Sequence, residues 1–130
     1  MKLQAEGLSF ELHYLKPDEE GWVGCNVIIN VPGFRGDVDF HMLRSDLERF
    51  HTELSSARVA TNWPREVLLA STEPGFELSF RVERTGQVAG QYRFGSQEIH
   101  RAVLSGDFTM DQTYLEPLLS QTEQVLADFS

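Results

Sequence analysis

Apolar and polar residues alternate strictly over Leu8, Phe10, Leu12 and Tyr14, with Ser9, Glu11 and His13 between them. That period of two marks a strand with one buried face. KPDEEG, with Pro17 and Gly21, reads as a turn. The stretch from Trp22 to Val31 resumes the alternation and sets Val23, Cys25, Val27, Ile29 and Val31 on one side. Pro32-Gly33 is a tight-turn signal. Phe34, Gly36, Val38, Phe40 and Met42 then alternate with Arg35, Asp37, Asp39 and His41. The first 42 residues predict a three-stranded antiparallel meander.

The period lengthens at Leu43, Leu47, Phe50, Leu54 and Ala57, which share one helical face. Ser45 and Glu48 have capping-box spacing, so the helix is expected from about Ser45 to Arg58. VATNWPRE, carrying Trp63-Pro64, reads as a loop. Strands resume at Val67, Leu68 and Leu69, and STEPG is a turn. Phe76, Leu78, Phe80 and Val82 alternate, as do Val88, Gly90, Tyr92 and Phe94, with Thr85-Gly86 as the hairpin between. Gly95-Ser96-Gln97 breaks the run. One more strand is expected from about His100 to Met110, bulged at Ser105-Gly106. Thr113 and Glu116 suggest a second capping box, and Pro117 suits a helix's first turn. Leu115, Leu118, Val125, Leu126 and Phe129 form that helix's inward stripe, with Glu123 and Asp128 facing water. The order βββαββββα predicts a single α+β domain over residues 1–130. Its antiparallel sheet has about six or seven strands, with two α-helices on one face. The other face stays exposed or meets a partner.

Composition changes this picture in three ways. A hydrophobic content of 41% is that of a globular chain with a real core. The single cysteine, Cys25, excludes an internal disulfide and fits a reducing, cytoplasmic setting. No apolar run is long enough for a membrane span, and the first residues do not read as a signal peptide. Eleven Lys and Arg against twenty Asp and Glu leave a net charge of −9. Such a field repels phosphate backbones, which argues against nucleic acid, and speeds encounter with a basic protein.

Candidate chemistry is sparse. His13, His41, His51 and His100 are scattered outside any metal-ligand spacing and read as surface residues, so neither metal nor cofactor is expected. Cys25 lies on a strand, away from the helix N-terminus or cation that activates a thiol, and reads as a small core residue. No nucleophile elbow or phosphate-binding glycine loop is present, so no catalytic residue is assigned and the chain reads as non-enzymatic. Asp37 and Asp39 share a strand face about 7 Å apart. They suit a solvated face with cross-strand partners such as Arg81 or Arg93 better than an acid–base pair. Asp18, Glu19 and Glu20 form an acidic loop. Trp22 and Trp63 are aromatic candidates for a contact surface or for the rim of the core.

Three segments together resemble a known family. GFRGDVDFHML leads into SDLERFHTEL, and DQTYLEPLLSQTEQVLADF closes the pattern. The arrangement is similar to that of the small bacterial WapI-like immunity proteins and related domains of unknown function. In these, an RG strand enters a DLxxF helix and a late strand runs into D-Q-T-x-L-x-x-L. The resemblance implies a cytosolic binding protein that neutralises a cognate polymorphic toxin, often a nuclease and therefore basic. It carries no binding residues across. Charge alone nominates Asp18, Glu19, Glu20, Asp37 and Asp39 as the partner-binding surface. A second reading stays open: a small-ligand-binding domain with a pocket near His41, His100 or Cys25, or a self-associating homodimer without a toxin partner.

Overall fold

The computed structural model describes residues 1–58, 64–71, 75–95 and 102–129. Eight strands and two helices follow in the order β1 (Lys2–Ala5), β2 (Leu8–Tyr14), β3 (Trp22–Val31), β4 (Phe34–Leu43), α1 (Arg44–Arg58), β5 (Arg65–Ala70), β6 (Phe76–Val82), β7 (Gln87–Gly95), β8 (Val103–Asp111) and α2 (Leu115–Asp128). The α+β class stands. The single sheet does not: strands β1–β4 form one antiparallel four-stranded sheet and β5–β8 another. Each strand pairs with its chain neighbour, and α1 separates the two meanders. Two apolar sheet faces can cover one another, which relieves the helices of covering a wide sheet alone.

Phe76 sits where the sheets meet. Its ring stacks on Phe40 of the first sheet at 4.7 Å and reaches Phe10 at 6.5 Å and Phe94 at 5.1 Å. Leu8, Phe10, Leu12, Val27, Ile29, Leu69, Leu78 and Val82 join it in one continuous core. The helices lie beside each other. Helix α1 runs along β5 and contributes Leu47, Phe50, Leu54 and Ala57; α2 contributes Leu115, Leu118, Leu119 and Val125. Leu126 and Phe129 of the expected stripe are only partly buried, and Phe129 meets Tyr14 edge-on at 5.7 Å. The sheets are also joined through backbone. Glu6 and Thr109 exchange N–H···O bonds of 3.0 Å in both directions, tying the end of β1 to β8.

Several local expectations need correction. Strand β1 was not expected: in KLQA only Leu3 is buried, too little alternation to register. Helix α1 starts one residue early because β4 runs straight into it. Its capping acid is Asp46, whose carboxylate accepts the Leu43 N–H at 2.8 Å. Glu48 instead pairs with Arg44 at 2.9 Å. At α2, Asp111 rather than Thr113 caps, accepting the Thr113 N–H at 2.9 Å ahead of a short 3₁₀ turn. Glu116 pairs with Arg58 at 2.7 Å. Strand β8 has no bulge at Ser105-Gly106, since both residues pair in register with Arg93 and Tyr92. The tip half of β4 is less covered than its alternation suggests, with Phe34 68% exposed. Trp63, His100, the break at Ser96-Gln97 and the middle of the STEPG turn lie outside the described residues. No described helix is long and apolar enough to cross a membrane.

Candidate functional site

The register of the β3–β4 hairpin builds the site. Pro32-Gly33 closes it, with Gly33 at φ 83°, a conformation that favours glycine. Val31 therefore faces Phe34, and counting back places Asn26 opposite Asp39 and Ile28 opposite Asp37. These side chains project from the outer face of the first sheet, away from Val27, Ile29 and Phe40. The Asn26 amide donates one hydrogen bond to Asp37 Oδ1 at 2.7 Å and another to Asp39 Oδ1 at 2.8 Å. Both carboxylates are exposed, and neither enters any ion pair among the described residues.

A neutral amide thus aligns two like charges without cancelling either. Their mutual repulsion is tolerable because both face water, where the effective dielectric is high. The Arg81 and Arg93 side chains expected as partners belong to the second sheet, and Arg81 pairs with Glu83 at 2.9 Å. Asn26 is the residue that reading by charge missed. The signal was available: the two-residue turn fixes the register that sets it against the acids.

The acidic loop joins β2 to β3, at the end of the hairpin away from Pro32-Gly33. Asp18 is turned inward to the loop's own backbone, accepting the Glu20 and Trp22 N–H groups at 2.9 Å each. It shapes the loop, while Glu19 and Glu20 stay exposed. Trp22, where the loop enters β3, is four residues and so about 13 Å from Asn26 along the strand. The nominated acids therefore fall into two groups, the β4 pair and the loop before β3, and do not form one cluster. Trp22 is half-buried there, and Leu15, 72% exposed, leans over Gly24 beside His41.

The rest of the first sheet's outer face is mixed in charge. Glu11 lies 3.9 Å from Lys2 and 3.2 Å from His13 across β1 and β2. The outer face of the second sheet holds a groove of about 800 Å³ lined by Glu53, Glu66, Arg81, Gln91 and Asp107 among others. Of the groups proposed for a pocket chemistry, the two described ones, Cys25 and His41, point to opposite faces of the sheet, Cys25 into the core and His41 outward. Burial pushes the Cys25 thiol up to about 12. His51 is engaged with Glu123 at 3.2 Å. Among the described residues no group of three or more His, Cys, Asp or Glu is placed to hold a metal ion.

A search of the curated proteins finds no match. Among solved structures, the structure of the plant transcriptional regulator PBF-2 is similar, at 10% identity and a TM-score of 0.49. That alignment covers 97% of this chain and 79% of the other. The family model described as "Immunity protein WapI-like family" matches residues 2–130, the whole described fold, and the chain belongs to that family.

Proposed function

We propose that this protein binds and neutralises a basic protein toxin, docking it on the outer face of its first sheet. The family supports the toxin partner. The observation that carries the surface is the pair Asp37 and Asp39, aligned by Asn26 and uncompensated by any described cation. The net charge of −9 adds a long-range field of the same sign. Glu19 and Glu20 extend the acidic face at one end, and Asp18 holds their loop in shape. This role is a binding role and asks for no catalytic group.

The test is capture of the partner by tagged protein at low and at moderate salt, followed by association kinetics. A single basic protein, released as salt rises and toxic when expressed without this chain, is the expected result. Asp37→Lys with Asp39→Lys should then slow association by roughly tenfold, since charged residues at an interface act chiefly on the on-rate. Glu20→Lys should add a smaller effect. An association rate and salt dependence unchanged by these reversals would place the toxin on another surface.

A further inference from the structure

Every edge of a sheet is a row of unpaired backbone groups, and among the described residues three of the four edges here are met by at least one capping partner. On β1, the Gln121 side chain accepts from Lys2 N–H at 2.7 Å and donates to Lys2 C=O at 3.0 Å, imitating a neighbouring strand. The Glu6–Thr109 exchange occupies the junction of β1 with β8. On β5, Glu53 of α1 accepts the Leu68 N–H at 2.9 Å.

Among the described residues strand β4 has no such cover. It pairs residue for residue with β3 from Phe34 to Leu43, without a bulge and without proline. Because Val31 and Phe34 close a two-residue turn, they exchange hydrogen bonds, and the phase alternates from there. The N–H and C=O groups of Arg35, Asp37, Asp39 and His41 therefore point away from β3. At the strand's end Leu43 N–H points the same way and is taken by Asp46. Among the described residues no backbone partner meets the other four. All four residues are exposed.

We infer that the β4 edge receives the partner by strand addition, and that the added strand is cationic, with Lys or Arg opposite Asp37 and Asp39. This rests on the acidic-face reading and specifies its geometry. Main-chain bonds along such an edge supply affinity, and alternate side chains supply specificity. The two carboxylates stand on alternate residues of the strand, the spacing at which an added strand presents its own same-face side chains. Charge also argues against a second copy of this chain as the occupant. The self-pairings that use the whole strand put Asp37 opposite the copy's Asp39, or Asp39 opposite its own copy. Like charges directly opposite one another are destabilising.

The probe is a ten-residue peptide alternating Val with Lys, together with its twin N-methylated on alternate backbone amides and a Val–Glu analogue. Binding to the full chain is followed by amide hydrogen exchange. The Val–Lys peptide should protect the amides of Arg35, Asp37, Asp39 and His41. The N-methylated twin should bind at least about tenfold more weakly, because it lacks the main-chain donors. Asp37→Lys with Asp39→Lys should lose roughly tenfold for the Val–Lys peptide and favour the Val–Glu peptide. Equal binding of the N-methylated twin would overturn strand addition and leave a purely electrostatic face standing. Protection of the edge by all three peptides alike would overturn the cationic requirement. No binding by any peptide, or a concentration-dependent dimer formed through this edge, would overturn the inference outright.

Discussion

Gly90→Ala adds one methyl group to β7 where the ring of Phe108 already stands. A Cβ at Gly90 would lie 2.1 Å from Phe108 Cζ, 2.3 Å from Cε1 and 2.6 Å from Cε2. Carbon contacts settle near 3.5–4.0 Å, so the ring must retreat by about 1.5 Å. Phe108 is only 3% exposed, so there is little slack for that movement. Either the ring presses into its neighbours, at roughly 1–3 kcal/mol, or it swings outward and forfeits a burial worth about 1.5–3 kcal/mol. Both routes give a loss near 2 kcal/mol. Equilibrium urea unfolding followed by tryptophan fluorescence reads it as a midpoint about 1 M lower, for a slope of roughly 1–3 kcal/mol per molar. Phe108→Leu removes the three ring atoms that make the clash. In that background Gly90→Ala should cost almost nothing, because the backbone there is not in the left-handed region and losing a glycine stiffens the unfolded chain. A loss below about 0.5 kcal/mol for the single variant, or the same loss in both backgrounds, would refute the close-approach explanation.

Other consequences are as direct. Asp46→Ala should lower stability by about 1 kcal/mol through loss of the cap on Leu43, whereas Ser45→Ala should be neutral; thermal melts compare the two. Phe76→Ala, at the meeting of both sheets, should cost roughly 3–5 kcal/mol in the same urea assay, with the loss read from the midpoint. Cys25 should resist a thiol reagent in the native protein at neutral pH and react only on unfolding, since burial raises its pKa to about 12. Tyr14 is also raised to about 12, by burial and by the 2.7 Å bond it donates to Asp128. Its contribution is complete below the ordinary value of 10 and disappears as pH rises through 12. Hydrogen bonds from Tyr14 and Gln124 lower the pKa of Asp128, so its contribution is present above the ordinary carboxylate range and lost in acid. Tyr14→Phe should flatten the alkaline limb of a stability–pH profile.

Local periodicity carried the long strands because their burial really alternates. Trp22 to Val31 and Phe76 to Val82 bury every second residue almost without exception. The same logic failed where the signal is too short or not local. In Lys2–Ala5 a single buried leucine cannot be told from loop. Division into two sheets depends on which apolar face covers which, and no window along the chain contains that information. At α1 a serine and a glutamate matched the capping pattern two residues downstream of the true box. There the third helical position, Asp46, holds a strand residue's N–H. In the candidate site, the acids were visible by charge and Asn26 was not, because its role exists only across the hairpin.

The exchange between Glu6 and Thr109 has a consequence for how the chain is made. All the ladders within the two sheets close through chain neighbours, so each sheet can zip locally on the microsecond scale of hairpins. The Glu6–Thr109 seam, by contrast, must wait for the two ends of the chain to meet, a slow, non-local closure. During synthesis the first sheet is complete once α1 begins to emerge, yet its β1 side has neither Thr109 nor Gln121 to meet it. The nascent protein thus passes through a stage with a second open edge that the mature one lacks, and that stage is when it is most exposed to pairing with the wrong strand.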